Sequence, residues 1–237
     1  NNEGVGLIIN NSNEKSILIN NVVFRNLQMP IYFDFGWKRN LVSITQSSFD
    51  KNTGKVSLIQ VLNTPFGIND SAYVQFDLSD NVFSDNKAPL YFEDLKSDQI
   101  HFNITQNVFI NNSIYGSDTD LKTFGIVIDN SNLGGTIDAF NQVYRNDLHN
   151  LTFGITANKT NAKIQDNSNL EHFGEVIPFT GLVFKCNRFF ESKVSDITAT
   201  GPVAVHQGST SSLAHDPANN LFSENPSQEA DFWYVPL

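Results

Sequence analysis

Short runs in which apolar and polar residues alternate, broken by polar turns, recur along this chain in a shared register. Aligning each aromatic residue that follows a polar, often Asn-containing turn brings Phe24, Phe49, Phe83, Phe109, Tyr144 and Phe189 into one column. Seven and five residues ahead of these anchors stand Ile17 and Ile19, Val42 and Ile44, Phe76 and Leu78, Phe102 and Ile104, Ile137 and Ala139, and Leu182 and Phe184. Every one of these positions is apolar. Residues two apart share a strand face, so each repeat predicts a short strand with one side turned inward. Most anchors are followed by a second alternating stretch, such as Ile31, Phe33 and Phe35, or Phe124, Ile126 and Ile128. Helix signals are scarce, because Asn and β-branched residues fill the windows where an amphipathic helix needs Ala, Leu, Glu and Lys.

The turns carry their own pattern. Asn81, Asn107 and Asn187 stand two residues before their anchors, and Asn52, Asn86 and Asn112 three residues after theirs. Asn tolerates the left-handed backbone of a sharp corner, and amides at equivalent corners of stacked coils are expected to hydrogen-bond into ladders. The anchors recur at unequal intervals, as they would if some turns carry inserted loops. Coils that each bury one face can do so only by stacking, like strand on like strand in parallel. The sequence therefore predicts an all-β parallel β-helix of roughly seven to eight coils, a rod about 35 Å long. From about Thr200 the alternation fades, and His215 and Pro217 break the template ahead of Phe222. The expected division is a β-helix over 1–199 and an irregular C-terminal segment over 200–237. Near its end, Phe232, Trp233 and Tyr234 are apolar enough to plug the last coil or to dock onto a neighbour.

Across about Ile17 to Val194 these repeats resemble the right-handed parallel β-helix superfamily, the pectin-lyase-like fold. Phe49-Asp50-Lys51-Asn52, Phe83-Ser84-Asp85-Asn86 and Phe109-Ile110-Asn111-Asn112 are similar to the Phe-x-x-Asn repeats of polymorphic outer-membrane proteins and related surface adhesins. The Gly-Gly-Ala-aliphatic motif of those proteins is approached once, at Gly134-Gly135-Thr136-Ile137. The resemblance implies surface display rather than catalysis.

Composition narrows the function. Charged residues make up 17% of the chain, well below the usual quarter, so its surface must be polar through uncharged amides and hydroxyls. Fifteen Lys and Arg against 25 Asp and Glu leave a net charge of −10, which gives no hold on a phosphate backbone and argues against nucleic acid as a partner. The single Cys186 excludes an internal disulfide and a Cys-based zinc site. It lies in a corner, where a semi-buried thiol is the simpler reading. No apolar run is long enough for a membrane-spanning helix, so membrane insertion is not expected, and the start at Asn1 reads as a mature product or a fragment.

Candidate chemistry is sparse. The hydrolases of the resembled superfamily use closely set aspartates, and its lyases use a calcium-binding carboxylate cluster with a basic residue; neither motif is present. Outward carboxylates on neighbouring coils, such as Asp77 and Asp138, would have to be brought together by folding, and otherwise read as solvated surface charge. Gly116-Ser117-Asp118-Thr119-Asp120 clusters oxygens without the twelve-residue calcium pattern. His101, His149, His172, His206 and His215 share no metal spacing and read as surface or turn residues. No catalytic residue, metal or cofactor is therefore expected. Asn-x-Ser/Thr acceptors occur at Asn10, Asn69, Asn103, Asn111, Asn150 and Asn158. Asn103, between inward Phe102 and Ile104, and Asn111, in a corner, are expected to leave room for glycans. The leading expectation is an extracellular or cell-surface structural or adhesive module, part of a stalk or head-to-tail filament, with self-association or further coils at its ends. The alternative is a protein that binds or cleaves polysaccharide.

Overall fold

A computed structural model of the chain describes residues 4–10, 15–34, 40–52, 59–61, 74–93, 100–112, 122–129, 141–159, 161–163, 180–201, 203, 218–224 and 230–235. Among these, every regular element is a β-strand. An eight-stranded sheet holds, in spatial order, β1 (Val5–Asn10), β4 (Met29–Asp34), β7 (Ile59–Val61), β10 (Leu90–Glu93), β13 (Phe124–Asp129), β16 (Phe153–Asn158), β20 (Ser195–Thr200) and β21 (Ala230–Val235). A seven-stranded sheet runs β17 (Ala162–Lys163), β18 (Thr180–Lys185), β14 (Asn141–Tyr144), β11 (Ile100–Thr105), β8 (Val74–Ser79), β5 (Asn40–Thr45) and β2 (Lys15–Asn20). A six-stranded sheet runs β19 (Arg188–Phe190), β15 (Asp147–His149), β12 (Val108–Ile110), β9 (Val82–Ser84), β6 (Ser48–Asp50) and β3 (Val23–Arg25). Pairing is parallel throughout, except for two-residue β17 against β18. Apart from β17–β18 and β20–β21, which pair within one sheet, consecutive strands lie in different sheets, so that β2, β3 and β4 pair with β5, β6 and β7 of the next turn. The architecture is all-β, built of stacked parallel sheets, and compatible with a parallel β-helix.

The alternating sequence produces this arrangement because the three-residue strands of the six-stranded sheet each bury only the inward central residue, whereas β13 and β16 bury four in succession. In β3, Phe24 is buried between exposed Val23 and Arg25. Registers then align the buried positions into columns: Ile19, Ile44, Leu78, Ile104, Val143 and Phe184 in one sheet, and Leu90, Ile126, Ile155 and Ile197 in another, which half-exposed Phe232 extends. In the six-stranded sheet the column is Phe24, Phe49, Phe83, Phe109, Leu148 and Phe189. Its first four rings stack at centroid separations of 4.9, 4.8 and 4.7 Å, the spacing of neighbouring strands.

Two features of this stack differ from the sequence alignment. The fifth anchor is Leu148, not Tyr144, which closes β14 in register with Thr105 and Lys185. An inward column requires apolar volume rather than an aromatic ring, and leucine supplies it. Ile137 and Ala139, aligned to the wrong anchor, lie outside the described residues. The repeat also continues where the alternation fades. Leu221 bridges Arg188, Phe222 stacks on Phe189 at 6.0 Å, and β21 pairs in parallel with β20. His215 and Pro217 lie outside the described residues, and what carries the pattern here is Asn220 and Phe222 themselves.

Candidate functional site

The corner between the seven- and six-stranded sheets is where the polar sequence signal acts. The left-handed residue of that corner is not the expected Asn but the residue before it: Asn21, Gln46, Asp80, Gln106, Arg145, Cys186 and Asn219 have φ between 50 and 57°. The following residue is free to act through its side chain. Asn81, Asn107, Asn146 and Asn187 are fully buried. The backbone N–H of each turn donates to the side-chain oxygen of the next, from Ser47 to Asn81 (3.0 Å), Asn81 to Asn107 (3.1 Å), Asn107 to Asn146 (3.0 Å), Asn146 to Asn187 (3.1 Å) and Asn187 to Asn220 (3.0 Å). The amide Nδ2 of each Asn donates to the same Oδ1 and to a carbonyl one turn back, as Asn107 does to Asn146 and to Leu78. Asn146 and Asn220 belong to this ladder and escaped the sequence reading. Both precede an apolar residue by two, but Leu148 is not aromatic and Phe222 lacks the two apolar residues ahead of it that mark the other anchors.

The opposite corner is less regular. Asn52 donates from N and Nδ2 to Asn86 Oδ1, each at 3.0 Å, while Asn86 Nδ2 reaches the Phe49 carbonyl at 2.9 Å. Asn112 does not join them. It is exposed, its N–H donates to Asp85 Oδ1, and the buried residue of that turn is Asn111. Here the backbone takes a different path: Asn26, Lys51, Asp85, Asn150 and Glu191 are left-handed at the equivalent position, and Asn111 is not among them.

The acceptor asparagines fall in varied surroundings. Asn111, expected in a corner with room for a glycan, is 3% exposed and donates to the Asn150 carbonyl. Asn103 is half-buried and donates to Asp77 Oδ1 at 3.1 Å, and Asn158 accepts from the Thr200 hydroxyl at 3.3 Å. Asn150 is half-buried in a left-handed corner. Asn10 pairs with Asp34 at the end of β1, and Asn69 lies outside the described residues. The second oxygen of Asp77 accepts from Gln75 at 3.0 Å, which ties that carboxylate into a network of surface amides. Asp138, the 116–120 loop, His172, His206 and His215 lie outside the described residues, as does the His101 side chain. Among the described residues no group of three or more His, Cys, Asp or Glu is placed to hold a metal ion, and no helix is long and apolar enough to cross a membrane.

A cleft of 890 Å³ opens where β15 and β19 meet the segment 218–224. His149, Asn150, Phe190, Glu191, Lys193 and Glu224 line it, over a floor of Phe189, Leu221 and Phe222. His149 and Phe190 occupy register-matched outward positions, and their rings stack at 4.4 Å with 7° between planes. Burial pushes the His149 pKa below its ordinary 6.5; Asp147 and Glu191 oppose this and Arg188 adds to it. Beside it, Arg188 Nε donates to Asp147 Oδ1 at 2.6 Å, and the guanidinium closes a second bond to Oδ2, a bidentate pair across adjacent strands. The segment itself is anchored by Asp196. Fully buried, this carboxylate accepts from the Ser223 N–H at 2.7 Å and from its hydroxyl at 2.8 Å. With Leu148 as anchor, His149 and Phe190 fall at the same repeat position, a relation the Tyr144 alignment concealed. A smaller cleft of 490 Å³ lies along the left-handed corner, lined by Asp80, Gln106, Arg145, Asp147, half-buried Cys186 and Arg188.

No family model, curated protein or solved structure matches the chain.

Proposed function

We propose that the chain is an extracellular structural or adhesive module, part of a surface stalk or filament, which associates through the ends of its stacked sheets. The observation that supports this reading is the exposure of apolar side chains on both edge strands of the eight-stranded sheet. In β21, Phe232, Trp233 and Tyr234 are 43%, 44% and 49% exposed, and in β1 Leu7 and Ile8 are 37% and 55% exposed. Phe232 and Tyr234 continue the columns of Ile197 and Ala199, and Leu7 stands in register with buried Ile31. A strand edge flanked by such side chains is a template for pairing with another chain, and contact between two unlike ends propagates rather than closes. The winding assumed is a right-handed parallel β-helix of roughly seven to eight coils, since crossovers between parallel strands of one sheet are right-handed.

Sedimentation velocity over a concentration series tests the association. The wild-type coefficient is expected to rise with concentration, and electron micrographs to show rods longer than one chain. Phe232→Lys combined with Trp233→Lys should stay monomeric with an unchanged circular dichroism spectrum, because both side chains are half in solvent and carry little of the core. A wild-type protein that remains a compact monomer at the highest attainable concentration overturns the reading.

A further inference from the structure

The cleft beside β19 is lined by no residue of β1 or β21 and combines features that end-to-end association does not use. Phe190, on β19, lines the opening with its ring stacked on His149. Two exposed carboxylates, Glu191 and Glu224, stand on the rim, and no ion pair among the described residues engages either. Glu191 is held out by a left-handed backbone at φ 57°, and Glu224 follows Ser223, which the buried Asp196 fixes in place. Among the described lining residues Lys193 is the one Lys or Arg against two carboxylates, and burial, lowering the His149 pKa below its ordinary 6.5, favours the neutral imidazole. The whole chain carries −10. An aromatic face flanked by unpaired carboxylates attracts a cation through the ring quadrupole and through charge-assisted hydrogen bonds together. A negative field draws such a group in from solution.

We propose that this cleft receives a guanidinium or ammonium group presented by a basic peptide segment of a partner protein. The aliphatic stem of an Arg or Lys side chain would lie over Leu221 and Phe222, with its charged head between Glu191, Glu224 and the Phe190 ring.

The test uses the whole chain and three probes: a blocked tri-arginine peptide, a blocked tri-glutamate peptide, and the neutral sugar maltotriose. Tri-arginine is expected to shift the NMR resonances of the His149 and Phe190 rings saturably, and added salt should weaken the effect. Glu191→Gln with Glu224→Gln should reduce affinity about tenfold or more, since two charge-assisted partners are lost. Phe190→Leu should reduce it several-fold, while Asp80→Asn, at a different exposed carboxylate, leaves it unchanged. The proposal is overturned if the double variant binds tri-arginine as tightly as wild type, if Asp80→Asn weakens it equally, or if no ring resonance moves at millimolar peptide. It is also overturned if maltotriose or tri-glutamate moves those resonances as far as tri-arginine.

Discussion

A buried amide is tolerable only when its donors and acceptor are all met, and Asn107 meets them. Its Oδ1 accepts from the N–H and Nδ2 of Asn81, and its Nδ2 gives to Asn146 and to the Leu78 carbonyl. Replacing it with Ala strands the Asn81 amide and that carbonyl away from water. Asn107→Ala is expected to cost about 3 kcal/mol in chemical denaturation, since each orphaned group costs 1–3 kcal/mol. Asn112→Ala, at an exposed residue, should fall within about 0.5 kcal/mol. Equal costs at the two positions would mean that the ladder is not what holds the corner. The sequence made much of this legible, because Asn81, Asn107 and Asn187 share a register; the division of labour was not, since left-handed geometry passes to Gln106 or Cys186, residues with no special preference for it. His149 gives a different test. Its lowered pKa means that the unfolded chain takes up the proton first, so its contribution is complete above about pH 6.5 and is lost as pH falls through the folded value. The melting temperature of wild type should therefore drop more between pH 7.5 and pH 5 than that of His149→Phe, whose ring keeps the stack on Phe190 without the titration. A larger drop in the variant would reverse the sign of the argument.

At the level of strands, close packing decides which residues can begin the eight-stranded sheet. A Cβ at Gly154 would lie 2.5 Å from the Asp196 carbonyl oxygen and 2.8 Å from the Phe189 ring, and one at Gly125 would lie 2.6 Å from the Gly154 carbonyl oxygen. These glycines flank the inward column beside Phe189 and Leu148, where backbone and core side chain meet. Neither the carbonyl nor the buried ring can give way cheaply, so Gly154→Ala is expected to lose about 1–3 kcal/mol, measured as a lowered denaturation midpoint at constant slope. A neutral result would show that β16 and β20 can separate locally without loss. Here the sequence was less informative. Alternation located β13 and β16, but nothing in a single glycine announces that its neighbour one turn away sits within contact distance. The same holds for Leu148 and Asn146: an alignment keyed on aromatic rings passes over a column that accepts any large apolar residue, and with it the pairing of His149 and Phe190.

Over the whole molecule, most contacts among the described residues join neighbouring turns that are far apart in sequence. Successive ladder residues are separated by 25, 34, 26, 39, 41 and 33 positions, so each turn closes a long loop before its amide finds a partner. A stack held only by nearest-neighbour contacts has stability that is approximately a sum over interfaces, with interior turns supported on two sides and end turns on one. Phe109, Asn107 and Ile104 lie in the interior and are fully buried, whereas β1 and β21 keep exposed apolar residues. Native-state hydrogen exchange should therefore be graded, slowest for the paired amides of β11, β12 and β14 and fastest for those of β1 and β21. Uniform protection from end to end would mean that the chain opens only as one unit and that the ends are covered as well as the middle. The gradient also bears on association, because pairing between chains removes an end. If the edge strands meet a partner, raising the protein concentration should slow exchange in β1 and β21 while leaving β11 and β12 unchanged, a response that a monomeric rod does not give.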